Sequence, residues 1–351
     1  MRYAIISIHV RKGDEAVSSS KPVLAISSLS ISIDGHAVVD DLSLDVGKGE
    51  VVALVGESGC GKSLTAFATM RLLQPPVKIT SGSITLTGED LLRLPESVMR
   101  ARRGRDLSII FQEPSASLDP LARVGDQIAE AVMIHQGGTK AAALVRARAM
   151  LDSVGISDAE RRLAQYPFEL SGGMCQRVMI AVALICGPKL LIADEPTTAL
   201  DVTIQAQILD LMKRLVEEHG TSILLITHDM GVVADMADRV AVMYAGQIVE
   251  TAPASLLFAT PRHPYTALLL ASVPRLTAKP KAELPVIDGS VPAPSDFAAG
   301  CRFAGRCPLA LARCAEEMPP LSATGPGSAA ACWRTDDVPA FARSLGVGAA
   351  S

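Results

Sequence analysis

A glycine-rich octapeptide at residues 56–63 constrains this chain more than any other feature of its sequence. It reads Gly56, Glu57, Ser58, Gly59, Cys60, Gly61, Lys62, Ser63. Two glycines flank four residues and are followed by lysine and serine, which is the phosphate-loop pattern. An apolar run at 50–55, typical of a buried strand, precedes it, and a helical pattern at 64–73 follows. The sequence therefore predicts a strand, a tight glycine loop and a helix in succession.

That arrangement suits a polyphosphate. Glycines allow successive backbone N–H groups to point inward, and the helix adds its positive N-terminal end. Lys62 is expected to reach the β- and γ-phosphates, and the Ser63 hydroxyl to ligate Mg²⁺. An ordinary glycine-rich turn is the alternative, so further residues have to support the interpretation.

Composition limits the classes of protein to which the chain could belong. The chain has 351 residues, a formal net charge of −4 and a pI near 5.9, which gives no support to a nucleic-acid-binding surface. Although 49% of residues are hydrophobic, no stretch approaches 18 uninterrupted apolar residues. Residues 1–10 lack a basic start and a small-residue cleavage site. We expect a cytoplasmic protein without a membrane span.

The pattern along the chain predicts an α/β fold in three parts. Residues 1–21 are expected to be a flexible leader, and 22–260 a nucleotide-binding domain that starts with antiparallel strands. Within it, 89–165 is interpreted as a helical insertion between two halves of an α/β core. Residues 261–351 are rich in proline and are expected to form a loop-rich extension with four cysteines.

Two apolar runs that predict strands are each followed by residues that could bind a metal ion or take part in catalysis. Asp194 follows the run at 190–193, where a carboxylate can hold Mg²⁺ through water. Glu195 can orient or deprotonate an attacking water, as hydrolysis requires. His228 ends the next strand and is a candidate for contact with the γ-phosphate. Taken singly, each has a purely structural alternative.

The order of these residues resembles one family. The segment 170–177, Leu-Ser-Gly-Gly-Met-Cys-Gln-Arg, resembles the signature motif of ATP-binding-cassette (ABC) ATPases, and the resemblance covers about 22–260. It implies a P-loop ABC-type nucleotide-binding domain with a RecA-like core, an antiparallel β subdomain and a helical subdomain. It also implies a Q-loop glutamine at Gln112, a Walker B aspartate at Asp194, a catalytic glutamate at Glu195 and a switch histidine at His228.

The same resemblance implies an ATPase that binds ATP with Mg²⁺. Ser63, Gln112 and Asp194 are the implied Mg²⁺ ligands. The implied nucleotide contacts beyond the octapeptide are Leu64, Gln112, Ser171, Gly172, Gly173, Gln176, Asp194 and Asp201. Because Ser171–Gly173 opens a helix, it offers a second anion site that the octapeptide of the same chain leaves unused. In the family, each signature caps the ATP held by the other cassette, so a complete site requires a dimer.

Residues 262–266 and the cysteine-bearing tail resemble the ATPase subunits of oligopeptide, dipeptide and nickel importers. This implies ATP-driven peptide import, peripheral attachment at the cytoplasmic face of the inner membrane, and no nucleic-acid partner. The implied partners are a second, different ATPase subunit, two membrane permease subunits, and a periplasmic or extracellular solute-binding protein. Import of nickel or another small solute, and a soluble ABC ATPase without transport, are the alternatives.

The cysteines leave several interpretations open. Cys301, Cys307, Cys314 and Cys332 are separated by five, six and seventeen residues, which leaves disulfides, zinc, unligated thiols or an iron–sulfur cluster. The family resemblance implies a 4Fe-4S cluster, and we expect one here. Cys60 and a cysteine within the signature are either small fillers or oxidation-sensitive thiols. No aromatic residue precedes the octapeptide at the position where the family stacks adenine; Ile33 or His36 lies there.

Overall fold

The computed structural model describes residues 21–198, 201–273 and 286–348. The predicted leader therefore lies outside the described residues except for Lys21. Ala199 and Leu200, which precede Asp201, also lie outside them.

The strands follow the apolar runs of the sequence. They are β1 Leu24–Ile33, β2 His36–Val46, β3 Val51–Val55, β4 Lys78–Leu86, β5 Glu89–Asp90, β6 Leu107–Ile110, β7 Leu190–Asp194, β8 Ser222–Thr227, β9 Arg239–Tyr244, β10 Gln247–Pro253, β11 Ser322–Gly325 and β12 Ser328–Ala330.

The helices fill the intervals between these strands. They are α1 Lys62–Met70, α2 Glu96–Arg102, α3 Pro114–Ser117, α4 Val124–Gln136, α5 Lys140–Ser153, α6 Ala159–Leu163, α7 Gly172–Leu184, α8 Val202–His219, α9 Met230–Met236, α10 Ala254–Ala259, α11 Pro264–Ala271, α12 Ala312–Glu316 and α13 Val338–Ser344. Short 3₁₀ helices cover Leu91–Arg93, Pro167–Glu169, Pro294–Asp296 and Ala304–Arg306.

The core is a sheet that, in the described part of the chain, runs in the order β11-β12-β10-β9-β3-β8-β7-β6. Pairing is parallel from β9 to β6. Every residue of β3, β7 and β8 is buried, as expected for parallel strands covered on both faces. Because β3, β7 and β8 are parallel neighbours, their carboxyl ends meet at one edge, and there lie 56–63, Asp194, Glu195 and His228.

A second, antiparallel sheet has the order β2-β1-β4-β5. β1 is one strand whose register shifts between Ile26 and Leu29, with Ser28 at a φ of 46°. Such a bulge bends the strand and raises its local twist. This sheet packs over β3, α1 and β9 through a shared apolar cluster that includes Leu29, Leu54 and Met243. The predicted α/β fold with an antiparallel β subdomain is confirmed.

The segment between the two halves of the core is largely helical, with α4, α5 and α7 sharing one apolar cluster with β6 and β7. Its start departs from expectation, because the region expected to be helical from residue 89 opens with β5 and a 3₁₀ turn. Asp90 caps that turn by accepting the N–H of Leu92 at 3.0 Å. An Asp cap and the following Pro95 favour a turn over a helix. Regular helix begins only at Glu96.

The C-terminal segment packs on the core through the third apolar cluster, which includes Tyr244, Tyr265, Phe303 and Val338. Its strand β12 pairs with β10, with Glu250 opposite Ala330, and so extends the core sheet. The boundary of the nucleotide-binding domain at residue 260 remains a prediction. Among the residues described, no helix combines the length and apolar character needed to span a membrane.

Candidate functional site

The octapeptide connects β3 to α1 and is fixed against β9 by its glycines. Gly56 has a φ of 151°, and a Cβ there would lie 2.1 Å from the carbonyl oxygen of Met243. Gly61 has a φ of 107°, and its Cβ would lie 2.9 Å from Val39 Cγ2. A side chain at either position would collide with packed neighbours in a conformation that L-residues rarely adopt. The close approach of loop, β9 and β2 therefore requires glycine at both positions.

Lys62 is buried at the start of α1. Its Nζ donates to the carbonyl oxygens of Gly56 at 2.7 Å and Glu57 at 2.9 Å. The ammonium group is thus held over the loop whose amides form the expected phosphate cradle. This position suits a cation that binds phosphate as a point charge.

Ser63 and Asp194 meet across the loop and the end of β7. Ser63 Oγ donates to Asp194 Oδ1 at 3.2 Å, and Asp194 is 4% exposed. Burial raises the pKa of Asp194, and the hydrogen bond from Ser63 offsets part of that rise. A hydroxyl and a carboxylate within hydrogen-bond distance are hard oxygen donors of the kind Mg²⁺ prefers. The two residues fit a magnesium site.

Glu195 follows β7 and is the centre of a hydrogen-bond network. Its Oε2 accepts from Gln112 Nε2 and from Thr198 Oγ1, each at 2.9 Å, and its Oε1 lies 3.0 Å from His228 Nδ1. Its backbone has a φ of 47°, in the left-handed region that non-glycine residues seldom occupy. The structure thus brings Gln112, Glu195 and His228 together.

The protonation state of Glu195 follows from this network. Burial raises its pKa, but the hydrogen bonds from His228 and Thr198 and the charges of His228 and Lys62 together lower it by more, so the net pKa lies below the ordinary value. The side chain is therefore a carboxylate at neutral pH, able to accept a proton.

These residues surround one cavity of about 650 Å³. That volume is within the range of small-molecule sites. The lining residues are Gly56, Glu57, Ser58, Gly59, Gly61, Lys62, Ser63, Leu64, Gln112, Glu195, His228, Met230 and Leu269.

The signature residues lie elsewhere. Ser171 caps α7, its Oγ accepting the N–H of Met174 at 3.4 Å, and Gly172 and Gly173 form the first turn. Gln176 is buried and donates to the Pro196 carbonyl at 2.6 Å. Asp201 caps α8 through the N–H groups of Thr203 and Ile204. None of the signature residues belongs to the lining of the cavity above, so one chain does not unite the two anion sites.

Sequence reasoning missed some residues around the octapeptide. Thr198 hydrogen-bonds Glu195, and Met230 and Leu269 line the cavity. Thr198 lies three residues beyond Glu195 and could have been proposed from that spacing. Leu269 belongs to α11, beyond the predicted domain boundary, and its sequence carries no signal of a cavity. Ile33 and His36 face each other across the β1–β2 turn and do not line the cavity.

Two thiols flank the site, and burial favours the interpretation of both as small fillers. Cys60 is 0% exposed, and burial raises its pKa despite the nearby Lys62. Cys175 is 2% exposed and donates to the Pro167 carbonyl at 3.4 Å. Reactivity requires an exposed thiolate, and the environment of Cys60 disfavours one.

The prediction of an iron–sulfur cluster is wrong. Within residues 21–198, 201–273 and 286–348, no group of three or more His, Cys, Asp or Glu side chains is arranged to hold a metal ion. Cys314 Sγ accepts the N–H of Leu311 at 3.5 Å, and Cys332 Sγ that of Arg334 at 3.3 Å. Burial raises the pKa of Cys307 and of Cys332 to about 11. Cys301 and Cys307 pack against the third apolar cluster instead.

Comparison with known proteins gives two family matches. The family described as ABC transporter matches residues 39–198. The family described as oligopeptide/dipeptide transporter, C-terminal region, matches residues 249–314.

Curated relatives are similar over most of their length. A probable peptide ABC transporter ATP-binding protein of Sinorhizobium fredii, y4tR, is 53% identical over 85% of this chain and 89% of its own. The oligopeptide transport ATP-binding protein AppD of Bacillus subtilis is 51% identical over 84% and 90%. The oligopeptide transport ATP-binding protein OppD of Salmonella typhimurium is 46% identical over 91% and 96%.

Solved structures share the fold. The cassette MJ0796, bound to ADP and Pi in a dimeric post-hydrolysis state, aligns with a TM-score of 0.59 and 25% identity over 66% of this chain and 98% of its own. The protein cbiO1 of Clostridium perfringens, part of the transporter complex cbiONQ, aligns with a TM-score of 0.60 and 26% identity over 68% and 92%.

Proposed function

Because this chain belongs to the family of peptide ABC transporter ATP-binding proteins, we propose that its cavity binds and hydrolyses ATP to energise peptide import. The chain is the ATPase subunit of such an importer. The observation that carries the assignment of roles is the meeting of the octapeptide, Glu195, Gln112 and His228 around one cavity, with Asp194 bonded to Ser63 of that loop.

ATP binding rests on the octapeptide. The amides of 56–61 and the N-terminus of α1 face the polyphosphate, and Lys62 exchanges its loop carbonyls for the β- and γ-phosphates. Ser63 and Asp194 would hold Mg²⁺, with Gln112 as a further oxygen ligand. When bound, Mg²⁺ supplies positive charge against the phosphate oxygens.

Hydrolysis rests on Glu195. Its carboxylate accepts a proton from water as that water attacks the γ-phosphate in line. His228 and Gln112 orient the carboxylate, and His228 stands ready to contact the γ-phosphate. Thr198 holds the second carboxylate oxygen and so restricts rotation of the group.

A second cassette completes the site. Ser171, Gly172 and Gly173 form an anion-binding helix N-terminus that lies apart from the cavity of their own chain, so they serve a partner's ATP. Gln176 and Asp201 support that face through their contacts with the Pro196 carbonyl and α8. We propose a different ATPase subunit as the partner, in a heterodimer.

The remaining machinery lies in the membrane and beyond it. The cassette attaches peripherally to two permease subunits at the cytoplasmic face of the inner membrane. A periplasmic or extracellular solute-binding protein supplies the substrate.

The test is uptake of labelled dipeptides, longer peptides and nickel by cells carrying Lys62→Ala. We expect loss of peptide uptake, because removal of the ammonium weakens ATP binding. Lys78→Ala is the matched control, since Lys78 is exposed and does not line the cavity. Loss of nickel uptake alone would replace the peptide substrate by nickel. Retention of all uptake with Lys62→Ala would refute the transport role.

A further inference from the structure

Arg306 of the C-terminal segment reaches back to the octapeptide. Its Nη1 donates to Glu57 Oε2 at 2.8 Å and its Nη2 to Glu57 Oε1 at 3.0 Å. Two parallel N–H···O bonds between a guanidinium and a carboxylate form a bidentate pair, which fixes orientation as well as charge. The Arg306 side chain is 9% exposed. The two residues are 249 positions apart in the chain.

Glu57 is held a second time by the residues beyond the cassette. Its backbone N–H donates to the hydroxyl of Tyr265 at 2.8 Å. Tyr265 is fully buried in α11, and its ring packs edge-on against Tyr244, 4.8 Å between centroids. Both the side chain and the backbone of one octapeptide residue therefore depend on residues after 260.

Arg306 is itself braced before it meets Glu57. Its Nε donates to the Asp288 carbonyl at 2.7 Å, and its Nη2 to the carbonyls of Ile287 and Gly289, each at 3.2 Å. Its Nη1 also lies 3.3 Å from the Tyr244 hydroxyl. With the guanidinium fixed by the tail backbone, little side-chain entropy remains to be lost in the ion pair.

The charge of Glu57 makes this contact relevant to ATP. Glu57 lines the cavity and lies inside the loop that cradles the polyphosphate. An uncompensated carboxylate there would repel the phosphates, and the cationic partner that contacts it is Arg306. The pair therefore removes a repulsion that the octapeptide would otherwise carry.

We propose that Arg306 is a positioning residue of the nucleotide site, which neutralises and orients Glu57 so that the C-terminal segment sets the affinity for ATP. The proposal rests on the proposed ATPase function. The competing account is a packing contact that stabilises the tail without electrostatic influence on the nucleotide.

Removing the charge of Arg306, alone and together with that of Glu57, distinguishes the positioning role from the packing contact. In full-length protein, Arg306→Gln is expected to raise the Kd for MgADP and the KM for ATP about tenfold, with kcat within about twofold. A tenfold change corresponds to about 1.4 kcal/mol, which is of the order of the interaction between one uncompensated unit charge and nearby phosphates. Adding Glu57→Gln to that variant should restore both constants to within about threefold of wild type.

Further variants guard against a folding defect. Glu57→Gln alone leaves the Arg306 cation beside the loop and is expected to lower the Kd for MgADP, whereas a packing role predicts a higher Kd. Arg306→Lys keeps the positive charge but cannot form the bidentate pair. Its Kd for MgADP should lie between those of wild type and Arg306→Gln. Arg334→Gln is the matched control, because Arg334 pairs with Asp337 at 2.6 Å within the tail.

Isothermal titration with MgADP provides the Kd, and steady-state ATP hydrolysis by the chain together with its partner ATPase subunit provides KM and kcat. Far-UV circular dichroism checks folding. Equal weakening in Arg306→Gln and in the double variant, or no weakening in either, overturns the proposal while leaving the ATPase assignment intact. A folded wild-type chain that binds no nucleotide overturns both.

Discussion

Acid should weaken the attachment of the C-terminal segment through one buried histidine. His263 caps α11: its Nδ1 accepts the N–H of Tyr265 at 3.1 Å, and the residue is 1% exposed. Its ring lies 5.9 Å from that of Phe303. A proton on Nδ1 would remove the acceptor and place a charge in an apolar cluster, so the folded state requires the neutral form.

The size of the effect follows from the pKa. Burial lowers the pKa of His263 from 6.5 to about 3. As pH falls, the unfolded chain therefore binds the proton before the folded chain does. The stability that depends on neutral His263 is fully present above pH 6.5 and is lost as pH falls toward 3. By linkage the loss between pH 7 and pH 5 is about 2 kcal/mol.

Glu250 acts in the opposite direction in the same range. It accepts the N–H groups of Arg262 at 2.6 Å and His263 at 2.8 Å, and burial raises its pKa to about 7. The folded state therefore holds a proton that the unfolded state releases above about pH 4.5, so this contribution grows as pH falls from 7. The pH profile of the wild type alone would mix the two groups.

His263→Asn separates them. The Asn side-chain oxygen can still accept the Tyr265 N–H as a cap, but it does not titrate. The smaller side chain leaves a void that costs about 1 kcal/mol at pH 7. Between pH 7 and pH 5, we expect the difference in unfolding free energy between wild type and variant to shift by about 2 kcal/mol in favour of the variant.

Urea unfolding followed by tryptophan fluorescence measures this difference in the C-terminal segment. The chain has one tryptophan, Trp333, and it lies in the C-terminal segment. Its Nε1 donates to the Glu317 carbonyl at 3.4 Å, so the signal reports that segment. Parallel stability curves for wild type and His263→Asn from pH 7 to pH 5 would refute a neutral, buried His263.

Three further predictions concern the cassette. Glu195→Gln should keep MgATP bound while phosphate release falls at least about 100-fold, because the amide cannot accept the proton; wild-type turnover would remove Glu195 from that role. Gly56→Ala should cost about 3 kcal/mol and abolish nucleotide binding, because its methyl would meet Met243 at 2.1 Å. Gly88→Ala is its control in thermal melts, since Gly88 shares a positive φ but has nothing within 4 Å. Iodoacetamide at pH 7 should label Cys60 at least about 100-fold more slowly than a small free thiol, as judged by mass spectrometry; rapid labelling would contradict its burial.

The site was predictable where local rules apply. Residues 56–63 carry a loop whose glycines are dictated by contacts within a few ångströms, and the pattern records them. Asp194 and His228 were found because apolar runs marked β7 and β8, and neighbouring parallel strands end at one edge. The rotation of Glu195 into a left-handed backbone, which directs it to Gln112 and His228, has no signature in a single sequence.

The C-terminal segment was the least predictable part. β12 spans Ser328–Ala330, too short to show an alternating pattern, and its partner β10 reads as the second strand of a hairpin with β9. The cysteine spacing left several interpretations open, and the cluster that the family resemblance implied is not formed by the described residues. Arg306 finds Glu57 only because folding brings together residues 249 positions apart.

The contacts of the C-terminal segment fall on parts of the cassette that shape the cavity. Arg306 and Tyr265 hold Glu57 of the octapeptide. Arg302 pairs with Asp40 of β2 and donates to the Ala245 carbonyl at 2.6 Å in the β9–β10 turn. That turn also contacts the octapeptide and β2, because the Gly246 N–H donates to the Cys60 carbonyl and the Gly246 carbonyl accepts the N–H of Asp40. A segment needed only to shield the sheet edge at β10 would require the β12 ladder and nothing more. Since Arg306 also reaches Glu57 of the octapeptide, folding of the segment and the geometry of the candidate nucleotide site are coupled by direct contact.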